Sequence, residues 1–446
     1  MKRAGWWVSA IGLLGAGALI DRWGVRLGYL VSIVVWSGFG LLHTLIRPSF
    51  GLAGFLVARF GLGLGEAGNF PAAIKAVSTW FPAKERAFAT GVFNAGANVG
   101  AILAPAVVPL IVQPNGEGWQ RVFMVTGAFS AMWCIAWWKT YRDPEQHPRV
   151  TEAELRWIQS DTIEQPSGTV RPAWREVMRK PITWKISVLR FADAAWWFYL
   201  FWGGKFLFDQ FGLNIQAVAL PLITIYVFAD AGSIGGGWLS SRLIQRGWPA
   251  VRARQCIMLA CALLILPVAG VTRLDTRFEV DQRFFAELAQ AGTMLTPKQT
   301  TALDQMRGRS YATARDFATA LEKATTAAPL SAKLEATCIA AARSNQLYWL
   351  ATFLIALAAA AHQAWAANMF SLIGDYLPRE SVASVAGFSG MVGVLAGLIA
   401  DFLVGRALTH GGAGGYFAAF VCAGTIYLVV LGLFHVLVRP STPTYA

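Results

Sequence analysis

Charge is scarce in this chain. Asp, Glu, Lys and Arg make up only 14% of its 446 residues, hydrophobic residues make up 55%, and the mean hydropathy is +0.47. A soluble globular protein carries about a quarter charged residues, so an ordinary water-bathed surface is excluded. Cysteine is also rare. Cys134, Cys256, Cys261 and Cys422 fall inside apolar runs and only Cys338 lies in a polar stretch, so no loop pair exists to form a disulfide. Small core residues are their expected role. No Cys/His set has zinc spacing, and there is no Walker loop and no nucleophile elbow. The sequence therefore assigns no metal, no cofactor and no enzyme chemistry. Gly61-Leu62-Gly63-Leu64-Gly65 imitates a nucleotide loop, but no strand precedes it and it sits in an apolar run, where small residues serve helix packing.

What is present is a series of apolar runs of about 20 residues, long enough to cross a bilayer. About eleven spans are expected, at 5–20, 28–46, 51–79, 87–112, 119–140, 184–210, 217–244, 255–271, 346–374, 382–408 and 415–438. Lipid offers no partner for open backbone groups, and the period-2 alternation of barrel strands is absent, so an all-α membrane protein is expected. The formal charge of +13 is not a nucleic-acid signal. Arg22 and Arg26, Lys84 and Arg86, the 139–185 stretch, Arg242 to Arg254 and Arg379 fall on alternate loops, whereas 113–118, 211–216 and 409–414 carry no Lys or Arg. This positive-inside pattern makes the lipid bilayer, and no nucleic acid, the partner, and it places the central loop in the cytoplasm of a plasma membrane, the inner membrane for a bacterium.

Five spans precede the polar stretch 141–183 and six follow it. The expected organisation is a first bundle at 1–140, a linker at 141–183, and a second bundle at 184–271 and 346–446, interrupted by an insertion at 272–345. Thr151 and Glu154 have capping-box spacing and open a short surface helix. The turn Asp21-Arg22-Trp23-Gly24-Val25-Arg26 has a looser echo at Gly236 to Gly247. If the halves are repeats, the first lacks its opening helix, and Lys2 and Arg3 would then lie on the outer side. Met1-Lys2-Arg3 and Ala16-Gly17-Ala18 also imitate a signal peptide, but cleavage there would remove part of the implied repeat. In the insertion, expected on the extracytoplasmic side, Thr296-Pro297 and Ser310 read as helix starts, with a helix at 312–324; a spacer or solvated cap is the default role and capture of a partner or ligand the alternative. No motif in it identifies a partner.

The most informative residues are Arg59 and Glu66, seven apart and on one face of an apolar helix, where ionisable groups are costly. A guanidinium can grip a carboxylate with two charge-assisted hydrogen bonds, and a mid-span carboxyl can carry a proton. The alternatives are a structural pair or snorkelling end for Arg59, and a permanently neutral hydrogen-bonding group for Glu66. Asn94 and Asn98 lie one turn apart and suit sugar hydroxyls or helix-to-helix bonds. Trp196, Trp197 and Tyr199 cluster where aromatic faces can stack on a sugar ring or on each other. His362, Trp365 and Asn368 form a polar stripe with Gln363 beside it, reading equally as substrate donors or interhelical contacts. Arg190 and Asp193 are spaced for an ion pair with a gating or structural role. Asp230 and Asp401 are buried acids with structural roles at least as well supported, and Lys75 and Glu85 read as interfacial or gating.

The turn Asp21-Arg22-Trp23-Gly24-Val25-Arg26 resembles the signature of the major facilitator superfamily. Ala58 to Ala67, Trp80-Phe81-Pro82-Ala83-Lys84-Glu85-Arg86, Trp196 to Trp202 and Ala361 to Asn368 resemble its anion:cation symporters, the hexuronate transporters most of all. That likeness implies two six-helix bundles with a midplane site between them, with about eleven of the twelve helices present here. It also implies import of a small organic anion with protons, with the arginine at the position of Arg59 near substrate and the glutamate at that of Glu66 as proton carrier. The signature residues Asp21, Arg22 and Arg26 become gating or structural. The reading is a proton-coupled hexuronate symporter; the alternatives are a symporter of another carboxylate, sodium-coupled or not, and a transport-inactive sensor or scaffold.

Overall fold

The structure, a computed structural model, describes residues 2–46, 51–113, 117–160, 174–213, 217–274, 277–292, 294–343, 347–411 and 413–437. Its first half contains α1 (Lys2–Trp23), α2 (Val25–Leu42), α3 (Gly51–Glu66), α4 (Asn69–Trp80), α5 (Ala83–Ile111) and α6 (Trp119–Thr140). Gly24 joins α1 to α2 with φ +82°, a left-handed conformation that glycine adopts without strain. The 51–79 run is not one continuous helix. Pro71 has no N–H to give the Ala67 carbonyl, and the ladder is interrupted at Ala67 and Gly68, leaving Glu66 as the last residue of α3.

The linker carries α7 (Glu152–Ile158) and α8 (Trp174–Arg179). Thr151 caps α7, its side chain accepting from the Glu154 N–H at 3.2 Å. The second half begins with α9 (Pro181–Leu189), a 3-10 turn at Arg190–Ala192, and α10 (Asp193–Phe211). Then come α11 (Ala219–Gln245) and α12 (Ala250–Ile265), which passes at Pro267 into a 3-10 segment, Leu266–Arg273. After the insertion the chain closes with α17 (Tyr348–Tyr376), α18 (Val382–Gly411) and α19 (Ala413–Leu437).

Eight helices among the described residues are long and apolar enough to cross a membrane. Two of the other three expected spans fall short for visible reasons. The 51–79 run is broken at Ala67, and α10 carries Asp193, Lys205 and Asp209.

The insertion folds around a separate core of Phe278, Phe284, Leu303, Phe317, Leu321 and Cys338. It comprises β1 (Phe278–Glu279), α13 (Gln282–Gln290), α14 (Pro297–Asp304), β2 (Ser310–Tyr311), α15 (Ala314–Ala324) and α16 (Ala332–Ala342), with β1 and β2 antiparallel. The Thr296 capping box is complete in both directions. Ser310 begins a strand rather than a helix, because Phe278 and Glu279 are there to pair with it; the helix starts instead at Ala314, capped by Thr313.

Small residues let the two halves close on each other. Gly17 of α1 lies directly against the Ala383 carbonyl of α18, Gly91 of α5 against the Ser233 carbonyl of α11, and Gly237 of α11 against the Ala87 carbonyl. These contacts run α1 along α18 and α5 along α11, and so set the seam on which the site lies.

Candidate functional site

A cavity of about 360 Å³ lies between the halves. Such a volume falls within the range of about 300–1,000 Å³ typical of small-molecule sites. Its first-half wall includes Glu66, Phe70 and Asn94, and its second-half wall includes Arg190, Asp193, Trp196, Trp197, Tyr226, His362, Gln363 and Phe370. Three of the ionisable groups sit at interruptions of helices: Glu66 ends α3, Arg190 opens the 3-10 turn before α10, and Asp193 begins α10. Interrupted helices at mid-membrane are the usual place for polar ligands in carriers, because only there is irregular backbone tolerated.

Arg190 Nη2 and Asp193 Oδ2 form an ion pair at 2.9 Å, and the guanidinium lies 4.9 Å over the Phe370 ring. His362 is buried, its Nδ1 2.7 Å from the Tyr427 hydroxyl and its ring stacked on Trp196 at 5.2 Å. Asn94 Nδ2 donates to Gln363 Oε1 across the seam and to Ser233 Oγ at 3.2 Å.

Several expected site residues do not reach this cavity. Arg59 is exposed and does not line it; it lies two turns away along α3, about 10 Å by helical rise, although its charge still acts on Glu66. Tyr199 faces inward, buried against Phe198 and Phe420. Trp365 is fully buried, edge-on to Tyr427 at 5.3 Å. Asn368 donates to the Gly236 carbonyl at 3.1 Å and ties α17 to α11. These three turn away because α17 is buried nearly all round and the aromatic cluster of α10 covers more than one helix face, so spacing alone selected no direction. The side chain of Asn98 lies outside the described residues. Arg190 and Asp193, expected as a gating pair, are part of the cavity wall itself.

The signature residues lie at the end of the molecule that carries the basic loops. Asp21 pairs with Lys75 at 2.6 Å and accepts from the N–H groups of Ala383 and Ser384 at 3.3 and 2.7 Å, capping α18 from across the seam. Arg26 instead stays within its own half, donating to the Trp138 carbonyl at 2.6 Å and stacking on that ring; Arg22 is exposed. Sequence reasoning missed the second lock. Asp375 of α17 receives Arg86 of α5 at 2.5 Å and also Arg254 of α12, whose side chain is fully buried. A carboxylate at the last turn of an apolar helix was the available signal.

With the site described, the class follows. The Major Facilitator Superfamily model matches residues 4–277, and the chain belongs to that family. It is similar to the galacturonate transporter of Dickeya chrysanthemi, 32% identical over 256 residues, which cover 56% of this chain and 72% of that one. The hexuronate transporter of Escherichia coli is 34% identical over 292 residues, covering 63% of this chain and 66% of the relative. A D-galactonate transporter of the same species is 30% identical over 280 residues, with 58% and 61% covered. The chain thus spans less than two thirds of the latter two. Among solved structures, the transporter FucP in the outward conformation superposes with TM-score 0.62 at 14% identity, covering 98% of this chain and 89% of that one. The proton:xylose symporter XylE gives 0.59 at 13% identity, covering 96% and 83%. The protein is a multi-pass membrane transporter of the major facilitator fold and not an enzyme.

Proposed function

We propose that this protein carries a hexuronate or related sugar acid together with protons, by alternating access of its two halves across a plasma membrane with the central loop in the cytoplasm. The observation that carries the reading is the composition of the seam cavity: a guanidinium, two carboxyl groups, an Asn–Gln pair and flanking aromatic faces in one space of about 360 Å³. A sugar acid needs this combination, since its carboxylate suits a guanidinium, its hydroxyls suit amides and its ring suits aromatic faces. The named activities of the sugar-acid relatives support the same class of cargo.

In this scheme Arg59 meets the anion on its way in and Glu66 carries the proton. Asn94, Gln363 and His362 bind hydroxyls, Trp196 and Trp197 flank the ring, and Asn98 is assigned to the same surface. Neutralising the cavity lets the halves rock, and the locks at Asp21 and Asp375 release. The test is uptake of radiolabelled D-galacturonate by cells that have no hexuronate uptake of their own and express the full chain. Uptake abolished by a protonophore is expected, with accumulation lost in Glu66→Gln and entry slowed in Arg59→Ala. Sugar-acid uptake that ignores the protonophore and requires sodium would remove the proton coupling, and no uptake of any sugar acid would remove the cargo.

A further inference from the structure

We propose that Arg190 is the cation that receives the substrate's carboxylate, and that Asp193 is the internal carboxylate it exchanges for. This inference rests on the sugar-acid reading and assigns that site its anion receptor.

Arg190 lines the cavity, and Arg59 does not. Its guanidinium presents a fork of donors, of which Nη2 is used by Asp193 and Nε is buried without a partner. The ion pair is mostly enclosed, with side-chain exposures of 13% and 11%, yet both residues border the space a ligand would enter. Asp193 is also the least engaged of the buried aspartates described. Asp21 holds Lys75 and two backbone N–H groups, Asp375 holds two guanidiniums, and Asp209 holds Lys205 and the Tyr416 hydroxyl. For Asp193 the described ion pair is with Arg190 alone. The first three each hold more than one group, whereas Asp193 is freed by opening one ion pair.

The backbone makes room for the pair. A side chain at Gly393 of α18 would stand 2.7 Å from Asp193 Oδ2 and 3.1 Å from Arg190 Nε, and one at Gly390 would stand 3.9 Å from Nη2. The face of α18 against the pair therefore carries no charge of its own. The other titratable neighbours are His362, in contact with the Tyr427 hydroxyl and within electrostatic reach of Arg190, Tyr427 within reach of Asp193, and Tyr199 behind it. Glu66 and Tyr226 share the cavity.

The charge balance then dictates the order of events. With Glu66 and Asp193 both ionised, the cavity wall holds one excess negative charge and repels an anion. With both protonated it holds the single positive charge of Arg190, which one carboxylate neutralises. Carboxylate entry and proton uptake by Asp193 are thus two sides of one exchange, in which Arg190 is never left unpaired in a poorly hydrated space.

Equilibrium binding of radiolabelled D-galacturonate to the purified full-length chain, across the acid-to-neutral range, tests this. Asp193→Asn is expected to bind several-fold more tightly at neutral pH, because the competing carboxylate is gone. In a Glu66→Gln background the remaining pH dependence should disappear on adding Asp193→Asn. Arg190→Gln should weaken binding about 10-fold or more. If Arg190→Gln does not fold, Arg190→Lys carries the test: it keeps the charge, loses the planar fork and should bind more weakly than wild type. Either Arg190 variant binding as wild type does, or Asp193→Asn binding more weakly with pH dependence intact, overturns the exchange while leaving the cargo assignment standing. A wild-type chain that binds none of D-galacturonate, D-glucuronate and D-galactonate overturns the proposed function and this inference with it.

Discussion

Asn94 of α5 donates a hydrogen bond to Gln363 of α17, joining the two halves directly across the cavity. The same amide reaches Ser233, which in turn donates to the Gly91 carbonyl at 3.0 Å, so one side chain connects three helices. Asn94→Ala strands the Gln363 carbonyl in a buried place, at a cost of about 1–3 kcal/mol. A lower thermal unfolding midpoint and weaker D-galacturonate binding are expected, because the amide serves both packing and the cavity wall. Restoration of both by Asn94→Gln is not expected, since the longer side chain overfills the seam. A thermal scan with a binding isotherm for each variant checks this.

Asp375 pairs with two guanidiniums, Arg86 and Arg254, at the end that carries the basic loops. Asp375→Asn removes the carboxylate that both guanidiniums share, and breaking a buried pair in this way costs about 3–5 kcal/mol. The expected result is a molecule that opens at this end. A cysteine placed at Ser78, which packs against Gly374, should react with a thiol reagent far faster in the Asp375→Asn background than in the parent.

Gly15 and Gly17 are two residues apart on α1 and should respond differently to alanine. An added methyl at Gly17 overlaps the Ala383 carbonyl, whereas nothing lies within 4 Å at Gly15. Overpacking costs about 1–3 kcal/mol, so Gly17→Ala should lower the unfolding midpoint and slow uptake while Gly15→Ala leaves both unchanged. Equal behaviour of the two variants would mean that α1 and α18 do not close through this contact.

Cys338 is fully buried in the insertion core, where burial and the neighbouring Glu335 push its thiol up to about 12. It should resist a membrane-impermeant maleimide near neutral pH while the insertion is folded. Phe317→Ala removes about 3–5 kcal/mol of packing from the same core and should make Cys338 reactive without abolishing insertion into the membrane. Labelling of whole cells, read by mass shift, also reports which side the insertion faces.

The membrane was legible in the residues because a run of about 20 apolar side chains has few other homes, whatever its neighbours. The α7 and α14 starts were legible in Thr151 and Thr296, since capping side chains act on backbone within a few residues, whereas the 51–79 run was read as one span although Pro71 lies just beyond the break at Glu66. The Arg190–Asp193 pair was equally local, one turn of chain holding both members. Ser310 was misjudged because its strand partner, Phe278 to Glu279, lies some thirty positions away in the sequence.

Direction was the part the residues did not hold. Trp365 and Asn368 sit on a helix buried nearly all round, and Tyr199 belongs to an aromatic cluster that covers more than one face of α10, so no single face marks the side that meets a ligand. Which charge closes the seam, Asp21 on the α18 backbone and Asp375 between Arg86 and Arg254, depends on partners up to several hundred residues apart. Composition and spacing determined that this chain is a helical membrane protein with ionisable groups placed inside apolar helices. Only the packing of glycine against carbonyl along α1–α18 and α5–α11 decided which of those groups share a cavity, because side chains acquire a common space only when backbones that are distant in sequence approach to contact.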